Sequence, residues 1–266
     1  MFSVGLARAF GGAIIFSLPL FMTMEMWHLG SYMERGRLAG LLILMIPVLV
    51  GLSHYCGFEP TFEWQDDVVD AFVAYAVAFL AGAVVLSLFG ELRSGMPWEE
   101  IVGKLALQVV PGSVGALLAE GQLGTRDEHA EEEKERCTYS GALFLMLVGA
   151  LFLALNVAPT EEMILISYKM SAAQGIALAC LSLASMHAFV YAVEFRGQSH
   201  IPEGTPHWSL LFRYTIPGYA IALLASLYLL WTFGRVDGTG PMHVAMVTVV
   251  LGFPAAIGAA AARLMI

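Results

Sequence analysis

Acidic side chains stranded in apolar sequence are where this chain could do chemistry. Of its twenty-two Asp and Glu residues, only Glu25, Glu161 and Glu162 fall inside long hydrophobic stretches and away from their clear ends. A charge at the centre of a membrane helix costs about 2.5–3.5 kcal/mol on insertion scales, so such acids are functional candidates by default. Around Glu161 stand Asn156, Pro159, Thr160 and Glu162 in an otherwise apolar run. Pro159 cannot donate to the carbonyl of Leu155, which leaves a free oxygen and predicts a kink. Carboxylate, hydroxyl, amide and carbonyl oxygens together suit a hard cation such as Na⁺, Ca²⁺ or Mg²⁺. A glutamate in low dielectric also titrates near neutrality, so a proton is the other cargo this chemistry allows. Glu161 and Glu162 point about 100° apart on a helix, so at most one of them faces a site.

Glu161 is preferred because it has a counterpart. Thr23 to Met33 reads TMEMWHLGSYM and Pro159 to Lys169 reads PTEEMILISYK, which aligns Glu25 with Glu161, Leu29 with Leu165, Ser31 with Ser167 and Tyr32 with Tyr168. Further on, Tyr75-Ala76 matches Tyr219-Ala220, Phe89-Gly90 matches Phe233-Gly234, Val109-Val110 matches Val249-Val250, and Gly112 matches Gly252. Order is kept along the chain, as an internal repeat requires. The first copy departs from the second at two places: Pro19 lies six residues before Glu25, and Met24 stands where the second copy has Thr160.

Gln108 and Thr248 are paired by the same repeat, each just before a weak point, Pro111-Gly112 or Gly252-Phe253-Pro254. These segments read either as close packing through small residues or as hinges lining a cavity. Histidines supply a competing chemistry. Glu25 and His28 have the Glu-x-x-His spacing of di-iron carboxylate bundles, although the repeat puts Ile164 where a second His is needed. His54 and His187 are candidate haem ligands but do not align with one another. Cys56, Cys137 and Cys180 are too scattered for a disulfide framework or a cysteine-based zinc site. No nucleophile elbow, P-loop, dinucleotide-binding or zinc motif is present, so no enzyme class is indicated.

The elements that must position these residues follow from composition. The 266 residues are 58% hydrophobic and 13% charged, with a mean hydropathy of +0.74. Ordinary soluble domains are about 45–50% apolar and about 25% charged, which places this chain among integral membrane proteins. A net charge of −9 excludes nucleic acid as a natural partner. Eight stretches are long enough to span: 8–30, 38–58, 68–91, 98–120, 140–167, 171–194, 210–234 and 243–265. The fourth is the weakest, with Lys104 about two turns in, placed to snorkel to the headgroups, and a break expected at Pro111-Gly112. Trp27, Trp64, Trp98, Trp208 and Trp231 all lie near span ends, as interfacial anchors should.

The expected organisation is all-α and polytopic: a four-helix repeat over 1–120, an acidic linker over 121–137 and a second four-helix repeat over 138–266. Four spans per repeat give the two halves the same orientation, related by a pseudo-twofold axis along the membrane normal. The basic residues divide almost evenly between the two sides, and we place the termini in the cytoplasm. The run Asn156 to Met163, together with the eight-span layout, resembles a family of bacterial integral membrane proteins without an assigned activity. The resemblance implies a bacterial inner-membrane location and carries no site residue. The function expected from the residues is a cation channel or transporter built on Glu25 and Glu161, with a homodimer offering a ring of four carboxylates. A metal- or haem-binding redox protein using Glu25, His28, His54 and His187, and a non-transporting sensor or assembly factor, are the alternatives.

Overall fold

The computed structural model describes residues 2–56, 64–123, 139–191 and 207–263. The acidic linker lies largely outside the described residues. Every described element is helical, and eight helices are long and apolar enough to cross a membrane: Val4–Phe21, Arg35–His54, Trp64–Leu88, Trp98–Ala119, Tyr139–Val157, Ala172–Phe189, Trp208–Thr232 and Pro241–Ala262. The chain divides into two compact units, Met1–Thr125 and Arg126–Ile266.

Unit 1 holds α1 (Phe2–Phe21), α2 (Met24–Tyr32), α3 (Arg35–Cys56), α4 (Trp64–Leu88) and α5 (Trp98–Leu123). The expected first span, 8–30, is therefore two helices. The four carbonyls that close α1 explain the break. Leu18 O accepts from the Met22 amide and Leu20 O from the Thr23 amide, Pro19 O from the Thr23 hydroxyl at 2.6 Å, and Phe21 O from the Trp27 indole at 2.8 Å. With its last turn satisfied this way, α1 stops without a polar gap.

α5 is the central helix. Its span is 83% buried, and it packs against α1, α2, α3 and α4. It also corrects the sequence expectation, because it runs unbroken through Pro111-Gly112. Gly112 is a packing position there: a side chain would meet Ala78 and the Ser17 hydroxyl. Closer still is the crossing with α1, where a Cβ on Gly12 or on Gly115 would run into the other's carbonyl oxygen. Such approach through small residues supplies helix association in a bilayer, where apolar burial alone contributes little.

Unit 2 holds α6 (Tyr139–Val157), α7 (Glu162–Lys169), α8 (Ala172–Tyr191), then α9 (His207–Leu210), a π-helical turn (Leu211–Thr215) and α10 (Ile216–Thr232) in sequence, and finally α11 (Pro241–Arg263). Pro159 gives a full break where a kink was expected. α11 runs through Gly252-Phe253-Pro254 without unwinding, with Gly252 packed on Leu223, and it packs against α6, α7, α8 and α10. The π turn precedes Pro217, which has no amide to offer the carbonyl of Arg213. The Tyr139 hydroxyl donates to that carbonyl instead, at 2.9 Å.

The two units share several local devices. α6 and α11 cross at Gly149 and Gly258 as α1 and α5 cross at Gly12 and Gly115. α4 and α10 both end on a left-handed glycine, Gly90 at φ +75° and Gly234 at φ +69°. In each case the next residue, Glu91 or Arg235, donates its amide five residues back, to Leu86 O or Leu230 O, the signature of a Schellman cap. Ser31 and Ser167 each bond the carbonyl three residues earlier, of His28 and Ile164.

Candidate functional site

Glu100, Lys104, Gln108 and Gly112 follow one another at four-residue spacing and so share a stripe of α5. Trp98 marks the start of the helix, largely exposed as an interfacial anchor should be. At 1.5 Å per residue, Lys104 lies about 9 Å from it, Gln108 about 15 Å and Gly112 about 21 Å, across the middle of a hydrocarbon core about 30 Å thick. Lys104 does not snorkel. Its side chain is 6% exposed, with Nζ 3.2 Å from Glu91 Oε2 and 3.2 Å from Glu100 Oε1. Nζ also donates to the Glu91 carbonyl at 3.3 Å. The Schellman turn at Gly90 places Glu91 there, so the buried cation is paired as its burial demands. Gln108 is 1% exposed and Ser17 0%. Gln108 Oε1 and Ser17 Oγ have no hydrogen-bond partner among the described residues.

Beside the start of this stripe, α2 lies against α5. A Cβ on Gly103 would strike the Gly30 carbonyl, and Arg35 donates to that same carbonyl at 3.3 Å. Glu25 sits half-buried in the first turn of α2, where the positive helix end favours a carboxylate. It forms no ion pair among the described residues.

In unit 2 the corresponding break is held from the opposite direction. Arg235, in the Schellman turn, donates to the Pro159 carbonyl, and its guanidinium lies 3.8 Å from Glu161. The Glu161 side chain is 78% exposed, and Glu162, the first residue of α7, is exposed as well. Both border an open groove of about 490 Å³ shared with Ile164, Leu165 and Tyr168. Neither lies within the stretches that qualify as spans. Thr160 donates its hydroxyl to Val157 O at 2.8 Å, and the Asn156 amide donates to Phe152 O at 2.7 Å, leaving its Oδ1 buried without a partner. Thr248 donates to Val244 O at 2.7 Å.

The histidines are dispersed. His28 is exposed on α2. His54 pairs with Asp67 at 3.4 Å and lies nineteen residues beyond Arg35 on α3, which is about 28 Å from the end where α2 sits. His187 Nδ1 meets Thr215 Oγ1 at 2.9 Å in the other unit. Among the described residues, no three His, Cys, Asp or Glu side chains converge in a metal-binding arrangement.

Sequence reasoning missed the Glu91–Lys104–Glu100 cluster and the Arg235 clamp. Glu100 and Lys104 at i, i+4 were a readable pair. The Phe-Gly alignment pointed one residue further, to Glu91 and Arg235. No curated protein and no solved structure matches the chain. The family described as "Putative integral membrane protein (DUF2391)" matches residues 5–266, and the chain belongs to that family of integral membrane proteins.

Proposed function

We propose that the protein moves a small cation or a proton across the membrane, in a bacterial inner membrane with the termini in the cytoplasm. The polar stripe of α5 is the path, and Glu25, on α2 beside the start of that stripe, is a charge at its mouth. One observation carries the reading: a buried charged cluster at Lys104 is continued inward by Gln108, whose Oε1 is buried and unpartnered. An unpaired polar group in an apolar interior costs about 1–3 kcal/mol. A helix that only had to pack would carry leucine at that depth. Glu25 in unit 1 and Glu161 in unit 2 each raise the local cation concentration at their own surface.

Flux in proteoliposomes tests this. Wild-type protein should move an alkali cation or protons above empty vesicles. Gln108→Leu should reduce that flux at least tenfold, and Glu25→Gln with Glu161→Gln should lower it severalfold at low salt and less at high salt. Absence of flux in the wild type, or unchanged flux in Gln108→Leu, removes the reading.

A further inference from the structure

The ammonium of Lys104 is surrounded by oxygen. Oε2 of Glu91 and Oε1 of Glu100 each lie 3.2 Å away, and the Glu91 carbonyl 3.3 Å away. One turn deeper Gln108 holds an unpartnered Oε1. Side chains on an α-helix lean toward its N-terminus, so this amide leans back toward the turn of Lys104. Two carboxylates and a carbonyl form an all-oxygen set of the kind a hard cation takes, with the buried Gln108 amide one turn deeper on the same stripe. Here a positive charge already occupies it, on the end of a four-carbon stem rooted in the same helix. A lysine that needed only solvation would carry its ammonium past Glu100 into the headgroups; this one stops at the two carboxylates with its side chain 6% exposed.

We propose that Lys104 is a tethered cation, filling a site that accepts a free monovalent cation (an alkali ion or a primary ammonium) when the side chain is removed. This deepens the transport reading, on which it rests, by naming the class of cation. A monovalent ion replaces the ammonium charge for charge and keeps the cluster at the same net charge. A divalent ion does not.

The test is thermal unfolding of full-length Lys104→Ala in detergent, in choline, sodium, potassium or methylammonium chloride at equal ionic strength. The wild-type midpoint should be the same in all four salts. The variant should melt lower in choline and recover by several degrees, saturably, in methylammonium or an alkali salt. Adding Glu100→Gln should weaken the apparent affinity at least tenfold. Equal midpoints in every salt, or recovery by Mg²⁺ or Ca²⁺ alone, overturn the proposal. If Lys104→Ala folds only when purified in methylammonium or an alkali salt, the proposal stands. Lys104→Gln, which keeps most of the stem but stops short of the ammonium's place, is the second variant, and a recovery in the same salts is expected. If it folds and shows no salt dependence, or if neither variant folds in any salt, the ammonium is not replaceable and the proposal fails. Flux plays no part in this measurement. Binding without flux would remove the transport reading alone, and flux without binding would remove the site alone.

Discussion

Two adjacent glycines in α1 should respond to the same substitution with opposite signs. A methyl group added at Gly11 would meet nothing within 4 Å, whereas one added at Gly12 would meet the Gly115 carbonyl and the Ala119 Cβ. Replacing glycine by alanine inside a helix gains about 0.5–1 kcal/mol through reduced backbone freedom. Gly11→Ala should show that gain. At Gly12 the obstacle is backbone, which cannot rotate aside, so α1 and α5 must separate by nearly 1 Å. A gap of about 0.5–1 Å forfeits a quarter to a half of each dispersion contact along the crossing, and overpacking of this kind costs about 1–3 kcal/mol. The propensity gain is common to both variants and cancels, so they should differ by the overpacking cost, about 1–3 kcal/mol, in reversible unfolding in detergent. Gly149→Ala and Gly258→Ala in unit 2 should behave like Gly12→Ala. Equal stabilities for Gly11→Ala and Gly12→Ala would refute the argument that the crossing needs bare backbone.

Two other changes test the breaks and bends. Arg235→Lys keeps the charge but loses the planar fork that reaches both the Pro159 carbonyl and Glu161. Amide exchange should accelerate at least tenfold over Thr160 to Met163, while global stability falls by no more than about 1 kcal/mol because Glu161 is well exposed. Uniform exchange would show that Arg235 does not hold the break. Tyr139→Phe should cost about 0.5–1 kcal/mol by stripping the Arg213 carbonyl of its donor. In a Pro217→Ala background the same change should cost less, since the residue-217 amide can then supply the bond; a double-mutant cycle in thermal unfolding reads the difference.

The eight spans were legible because apolar length alone decides what crosses a bilayer, and the tryptophans at Trp64, Trp98 and Trp208 stand at helix starts as interfacial anchoring requires. The break after Phe21 was not. No glycine or proline stands between Phe21 and Met24 to mark it, and the stop depends on a threonine hydroxyl and an indole reaching particular carbonyls. The two proline-glycine weak points misled for a related reason. Propensity disfavours them, but the close approach that Gly112 and Gly252 permit outweighs it in a packed membrane helix. Glu25 and Glu161 drew attention because they sit in apolar text, yet both stand at helix beginnings, where a carboxylate is favoured by the helix dipole. The buried charge on Lys104 needed the turn at Gly90 to bring Glu91 back across it, a contact thirteen residues apart in sequence.

The divergence between the two units concerns where each keeps its charge. Glu91 and Arg235 occupy the same place, one residue past a left-handed glycine, with opposite signs. An acid there lets unit 1 bury Lys104 on its central helix. A base there lets unit 2 hold Glu161 at its break, and the alignment that pairs Gln108 with Thr248 puts Val244 where α5 has Lys104. The two differences fit each other: a lysine at position 244 would meet a guanidinium across the turn, and Lys104 without the Glu91 side chain would keep Glu100 and the backbone carbonyl but lose one of its two carboxylates. Glu161 is then partly neutralised by Arg235, while Glu25 forms no ion pair among the described residues, so the two glutamates are unequal in charge as well as in surroundings. Among the described residues, the buried charged side chains, Asp67 and Lys104, both belong to unit 1, and it is there that the proposed path for charge is drawn.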